Sequence, residues 1–388
     1  MKSDRFLPGI NTLLSDCRHW LRKRRVGLLS HAAALDTAGR HAADCLRAAD
    51  VRLVALFGPE HGFFGAAAAG RPVAGRMHPS LQIPVYSLYG ERRCPDPEML
   101  SGIDTLVVDL QDLGTRCYTY VSTLSYAIEA ACAAGKEIIV ADRPVPLPNV
   151  VDGPVTAPGC ESFLAALPVP MVYGMTPGET ARWIRDNMCH GANLKVAPMK
   201  NYRCGPARGS GWPPWVPPSP GIASWESGLC YPATVFSEAL PQLDHGAGSG
   251  LPFQVLGARW LNGSAVCDCL KGFRLPGVAF FPHAYALPGG AVVEGLRLVV
   301  RDHDAFRPVR TAVAILLALE TVCGARRIWK NAKTRPRFFD TLVGTPEVRG
   351  DIVAGVGLSG ITSRWRAGLR KFKDSRESAL LYRRARAK

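Results

Sequence analysis

In the stretch Leu56-Phe57-Gly58-Pro59-Glu60-His61-Gly62 a carboxylate and an imidazole stand side by side, directly after an apolar run. These are the residue types of acid–base chemistry. Val51 to Phe57 predicts a buried strand, and Gly58-Pro59 stops it in a tight turn. In open α/β sheets, ligands bind beyond the carboxyl ends of the strands, which is where Glu60 and His61 would lie. A turn whose Glu and His merely cap the next helix explains the same residues, and the local pattern leaves both readings open.

Two more strand ends carry polar groups. Asp104 to Leu110 runs into Asp109, Gln111 and Asp112, followed by Arg116, Tyr118 and Tyr120. Glu137 to Ala141 runs into Asp142 and Arg143. Carboxylates, an imidazole and arginines gathered at one sheet edge would make a polar cleft with coupled titrations. The competing reading is a buried salt-bridge network in which Arg116 and Arg143 neutralise Asp109 and Asp142. That reading is preferred for Asp109, Asp142 and Arg143, and the functional one for Glu60.

The elements that must position these groups alternate in type. Strands are predicted at 25–30, 51–57, 84–88, 104–110 and 137–141, with helices at 41–49 and 120–134. This is the pattern of βαβ units and a parallel sheet. A helix over 176–187 starts with a capping box, Thr176 with Glu179, which gives Glu179 a structural task. The Pro- and Gly-rich segment Gly205 to Gly221 must be an extended loop, either a cleft wall or a surface linker. Beyond it lie a strand at 292–300, an apolar helix at 309–323 and a helical tail through 340–343, 347–353 and 359–372. The predicted fold is α/β: a Rossmann-like, mostly parallel sheet domain over residues 1–250, and a smaller α+β domain over 251–388.

At 388 residues the chain suits two domains. Its net charge of +15 is partly concentrated at 18–25 and 364–388. Such runs are read as solvated faces, because no nucleic-acid signature accompanies them. The twelve cysteines are scattered; Cys267 and Cys269 are the one close pair, and a reducing compartment is expected. Met1 to Asp16 has no secretory pattern and no run reaches membrane-spanning length, so a cytoplasmic location and no membrane partner are expected. No Gly-x-Gly-x-x-Gly follows the first strand, and no phosphate loop, Gly-x-Ser-x-Gly elbow or His-x-x-x-His spacing occurs. No nucleotide cofactor and no metal are expected, and a nucleotide-dependent enzyme is disfavoured.

Longer motifs stand in order along the chain: Gly58 to Gly62, Tyr86-Ser87-Leu88-Tyr89-Gly90, Pro97 to Leu100, Asp109 to Arg116, Tyr118-Thr119-Tyr120, Asp142-Arg143-Pro144, Gly174 to Glu179, Pro218-Ser219-Pro220, Tyr231-Pro232, Asp302 to Pro308 and Phe372 to Tyr382. Over nearly its whole length the chain resembles the DUF1343 family, represented by exo-β-N-acetylmuramidases of the NamZ type. The resemblance implies a cleft between the two domains and a small peptidoglycan-derived glycan as partner. It also implies release of N-acetylmuramic acid from the non-reducing end. Glu60 matches the motif glutamate, and Phe57, Phe63 and Phe64 beside it could raise its pKa enough for an acid. Asp112, Glu238 and His61 are candidates for the second catalytic group. Arg93 and Arg116 match family arginines that could fork a lactyl carboxylate. Tyr118, Tyr120, Asp142, Arg143 and Ser219 are carried as substrate-binding expectations. A family arginine is replaced by Ala247, and Val145 and Gly221 stand where the family has asparagine. A catalytically degenerate glycan-binding protein is therefore the alternative reading.

Overall fold

The computed structural model describes residues 5–205 and 212–384. Part of the Pro- and Gly-rich loop and the end of the C-terminal basic segment lie outside that range. The chain contributes β1 (Val26–Ser30), β2 (Leu53–Gly58), β3 (Arg76–Met77), β4 (Pro84–Ser87), β5 (Thr105–Asp109) and β6 (Glu137–Ala141). A two-stranded ribbon of β7 (Asp152–Val155) and β8 (Pro170–Val172) follows, then β9 (Leu194–Ala197). Seven of these form one sheet in the order β3-β4-β2-β1-β5-β6-β9. All its pairings are parallel except β3 with β4, an antiparallel edge.

Every residue of β1, β5 and β6 is buried, so these strands read as unbroken apolar runs. Alternate residues feed opposite faces. Leu29, Phe57, Val108 and Val140 enter one core cluster; Leu28, Leu56, Val107 and Ile139 enter the other. The helix expected at 176–187 runs Pro177–Asn187 with Thr176 as N-cap and both bonds of the capping box formed.

The C-terminal part holds an antiparallel sheet of β10 (Val255–Ala258), β11 (Val278–Ala286) and β12 (Val292–Val300), in the order β10-β12-β11. The apolar helix Pro308–Cys323 packs against the helix Trp225–Thr234. The larger core cluster includes residues from both sides of residue 250. Sequence patterning did not reveal β9, β11 or the Trp225–Thr234 helix, which carries Pro232 inside it. The basic run at 18–25 forms a single 3₁₀ turn, Arg18–Leu21, rather than a helix face.

Candidate active site

The strand order reverses between β1 and β5, so a ligand crevice is expected at their carboxyl ends. Protein groups fill it instead. His31 is fully buried, and its Nε2 accepts the Gln111 N–H at 2.9 Å. The Gln111 amide donates to the Pro144 carbonyl at 2.7 Å. Arg143 pairs with Asp109 and donates to the Leu35 carbonyl at 2.9 Å. The preferred reading of Asp109 and Arg143 as a buried ion pair matches this geometry.

The open space lies beyond β2, in a cavity of about 530 Å³. Of the residues expected at the site, Glu60, His61, Arg93, Tyr118, Ser219 and Glu238 line it. Glu60 is 7% exposed. Its Oε1 accepts the Gly70 N–H at 2.7 Å, and its Oε2 accepts the Thr119 hydroxyl at 2.6 Å. Thr119 is also the N-cap of the helix Tyr120–Ala133, yet its hydroxyl makes no capping bond. It serves the glutamate instead. The positive end of the helix dipole therefore stands beside the carboxylate. The Tyr89 hydroxyl also faces Glu60; burial first, then the charge and hydrogen bonding of Glu60, push it up to about 12.

His61 adopts φ +70°, in the left-handed region that non-glycine residues enter at a cost. Its Nδ1 lies 2.7 Å from the Ala67 carbonyl. A carbonyl only accepts, so Nδ1 carries the hydrogen and Nε2 is left as an acceptor. The turn is tight because Gly58 has no side chain: a Cβ there would lie 2.3 Å from the Phe63 nitrogen.

Glu238 sits on the short 3₁₀ helix Val235–Ala239 that continues from the Trp225–Thr234 helix. Burial, and then the charge of Glu60, push its carboxyl up to about 7. Two carboxylates thus face one cavity, and the charge of Glu60 raises the pKa of Glu238. The expected apolar surround of Glu60 is different from what the sequence suggested. Phe57 packs on Tyr86 and Phe63 on His41, while the cavity takes Phe163, Tyr231, Phe253 and Phe338 from elsewhere.

Several expected binding residues are not in the lining. Arg116 is fully buried. It donates to the carbonyls of Pro154 (3.0 Å), Val169 (2.8 Å) and Val343 (2.5 Å), which ties the β7–β8 ribbon to the C-terminal helices. It meets no carboxylate among the described residues, so it neither grips a ligand acid nor neutralises Asp109 or Asp142. Asp142 accepts from Thr176 (2.8 Å), Gly178 N–H (2.7 Å) and Tyr382 (2.6 Å), and burial raises it to about 7. Asp112 is buried under Tyr173, whose hydroxyl donates to it at 2.5 Å, and burial raises it to about 6. The Tyr120 hydroxyl donates to the Pro218 carbonyl at 2.5 Å and so anchors the loop bearing Ser219. Ser219 to Gly221 form part of the cavity wall, whereas Trp212 and Trp215 pack edge-on against Trp225.

Arg93 enters the cavity with its guanidinium over Phe163, 4.6 Å from the ring centroid. Sequence reasoning missed Thr119, Gly70, Tyr89 and Arg335 as members of the site. Thr119 and Tyr89 lay inside recognised motifs. Gly70 acts through its backbone, and Arg335 reaches the cavity from the far end of the chain, so neither leaves a local signal. Among the described residues, no group of three or more His, Cys, Asp or Glu is placed to hold a metal ion. No helix among them is long and apolar enough to cross a membrane.

Paired glutamates facing one cavity, one with a raised pKa and one held by protein donors, are the equipment of a glycoside hydrolase, here built on a parallel α/β sheet. The chain belongs to the exo-β-N-acetylmuramidase NamZ family. The profile of that family's N-terminal region matches residues 26–226, and that of its C-terminal region matches residues 229–382. The peptidoglycan β-N-acetylmuramidase NamZ of Bacillus subtilis (strain 168) is 34% identical over 387 residues, covering 98% of this chain and 92% of that protein. Two crystal structures of DUF1343 family proteins from Bacteroides fragilis NCTC 9343 are similar. One has a TM-score of 0.90 at 31% identity, covering 98% of this chain and 100% of the other. The second has a TM-score of 0.77 at 26% identity, covering 98% and 99%.

Proposed function

We propose that the protein hydrolyses the glycosidic bond of N-acetylmuramic acid at the non-reducing end of peptidoglycan fragments. The observation that carries this reading is the pair Glu60 and Glu238 in one cavity, with the Glu238 carboxyl at about 7. Near neutral pH a large fraction of Glu238 holds its proton and can deliver it to the leaving oxygen. Glu60, held by Gly70 and Thr119, serves as the second carboxylate, base or nucleophile. His61 Nε2 is free to accept a hydrogen bond from a sugar hydroxyl or the attacking water. Arg93 offers a fork to the lactyl carboxylate. The acid role thus moves from Glu60 to Glu238. The twelve unpaired thiols fit a reducing compartment, and we place the reaction in the cytoplasm.

The test is release of the chromophore from a chromogenic N-acetyl-β-muramide. Wild type is expected to turn it over, and Glu60→Gln to lose about 10³-fold or more in kcat. Turnover that persists in Glu60→Gln would overturn the assignment. Saturable binding of the sugar by wild type without turnover would instead favour the degenerate binding protein.

A further inference from the structure

Beside the catalytic cavity lies a smaller one of about 140 Å³, lined in part by Phe63, Phe64, Val73, Arg76 and Tyr86. His61 borders both cavities. The smaller one opens beside Phe64, which is 44% exposed, with Met77 55% exposed on the adjoining edge strand. Few large apolar side chains among the described residues are exposed to that degree, and an exposed patch next to a reaction centre marks a contact surface. Phe64 is also framed by donors. The His78 ring lies against it, with centroids 5.5 Å apart and planes inclined by 37°. The Arg76 guanidinium stands 6.0 Å from the Phe64 centroid. His78 Nδ1 accepts the backbone N–H groups of Ser80 and Leu81, so its hydrogen resides on Nε2, which can donate outward.

A sugar ring is complementary to this arrangement. Its C–H face packs on an aromatic ring, and its hydroxyl and acetamide oxygens accept from flanking donors. The catalytic cavity takes the residue whose bond is cut, so the rest of the substrate must lie on the other side of that bond. We propose that the exposed side chain of Phe64, with Arg76 and His78 against its ring, is the subsite for the leaving saccharide, a β-linked N-acetylhexosamine. The inference rests on the hydrolase reading above and adds the contacts made by the departing half.

The experiment compares kcat/KM on methyl N-acetyl-β-muramide, which has no second sugar, with that on the N-acetylmuramyl-N-acetylglucosamine disaccharide. Phe64→Ala is expected to lose about fivefold more on the disaccharide than on the methyl glycoside, and Phe64→Trp to restore the ratio. An unchanged ratio in Phe64→Ala would overturn the subsite while leaving hydrolysis intact. If wild type cleaves neither substrate, the hydrolase reading fails by itself. The subsite is then decided by calorimetric titration with N,N′-diacetylchitobiose. Weaker binding to Phe64→Ala supports it, and equal binding or none overturns it.

Discussion

Glu238 carries the clearest titration signature of the cavity, and its consequences for activity and stability have definite signs. Its carboxyl stands at about 7 in the folded protein against an ordinary 4.5, so between those values the folded state binds more protons than the unfolded one. Stability therefore falls as pH rises from about 4.5 to 7, by on the order of 3 kcal/mol in all. Activity that needs the protonated acid falls as pH rises through about 7. Glu238→Gln is expected to lose that alkaline limb along with most of its turnover, and to gain Tm relative to wild type at pH 8 but not at pH 4. A pH–rate profile and thermal melts at the two pH values check this. Equal Tm differences at both would show that Glu238 is not the buried acid described. The residues carried as catalytic or binding candidates divide sharply. Glu60 and Glu238 face the cavity, whereas Asp112, Arg116, Asp142 and Arg143 are consumed by buried networks.

At the scale of elements, the β2 turn places Glu60 and His61, and its geometry is set by what is absent at Gly58 and by the strained backbone at His61. Gly58→Ala must push the Gly62–Phe63 segment away, since a methyl group cannot share space with the Phe63 nitrogen. It is expected to lower kcat on the chromogenic substrate by about tenfold or more, with a smaller effect on KM. A displaced catalytic group costs rate before it costs binding. Wild-type kcat in Gly58→Ala would show that the turn tolerates the shift. Strands and helices were legible in the sequence where their periodicity was undiluted, as in β6 and the Pro177–Asn187 helix. The Trp225–Thr234 helix was not, because Pro232 contradicts the local pattern and the helix is stabilised by burial against Pro308–Cys323.

On the scale of the whole molecule, the cavity is a joint product of distant segments. Glu60 and Thr119 come from the parallel sheet domain, while Arg335, Phe338 and Leu342 close it from the C-terminal part. A division at residue 250 is proposed as the working domain boundary. Because the core continues across it, residues 1–250 expressed alone are expected to lack cooperative unfolding and near-ultraviolet circular dichroism signal. A cooperative transition in that fragment would establish two independent units.

The sequence alone determined the alternation of strands and helices, the glutamate at the β2 turn and the absence of a nucleotide fingerprint. All of these depend on residues near one another in the chain. Only the tertiary structure decided which carboxylate partners Glu60, that Arg116 serves backbone carbonyls rather than a ligand, and that Thr119 gives its hydroxyl to Glu60 instead of its own helix. The reason is physical: charge, burial and hydrogen-bond choice depend on what surrounds a side chain in space. For Glu60 those surroundings include residues as far along the chain as Glu238 and Arg335.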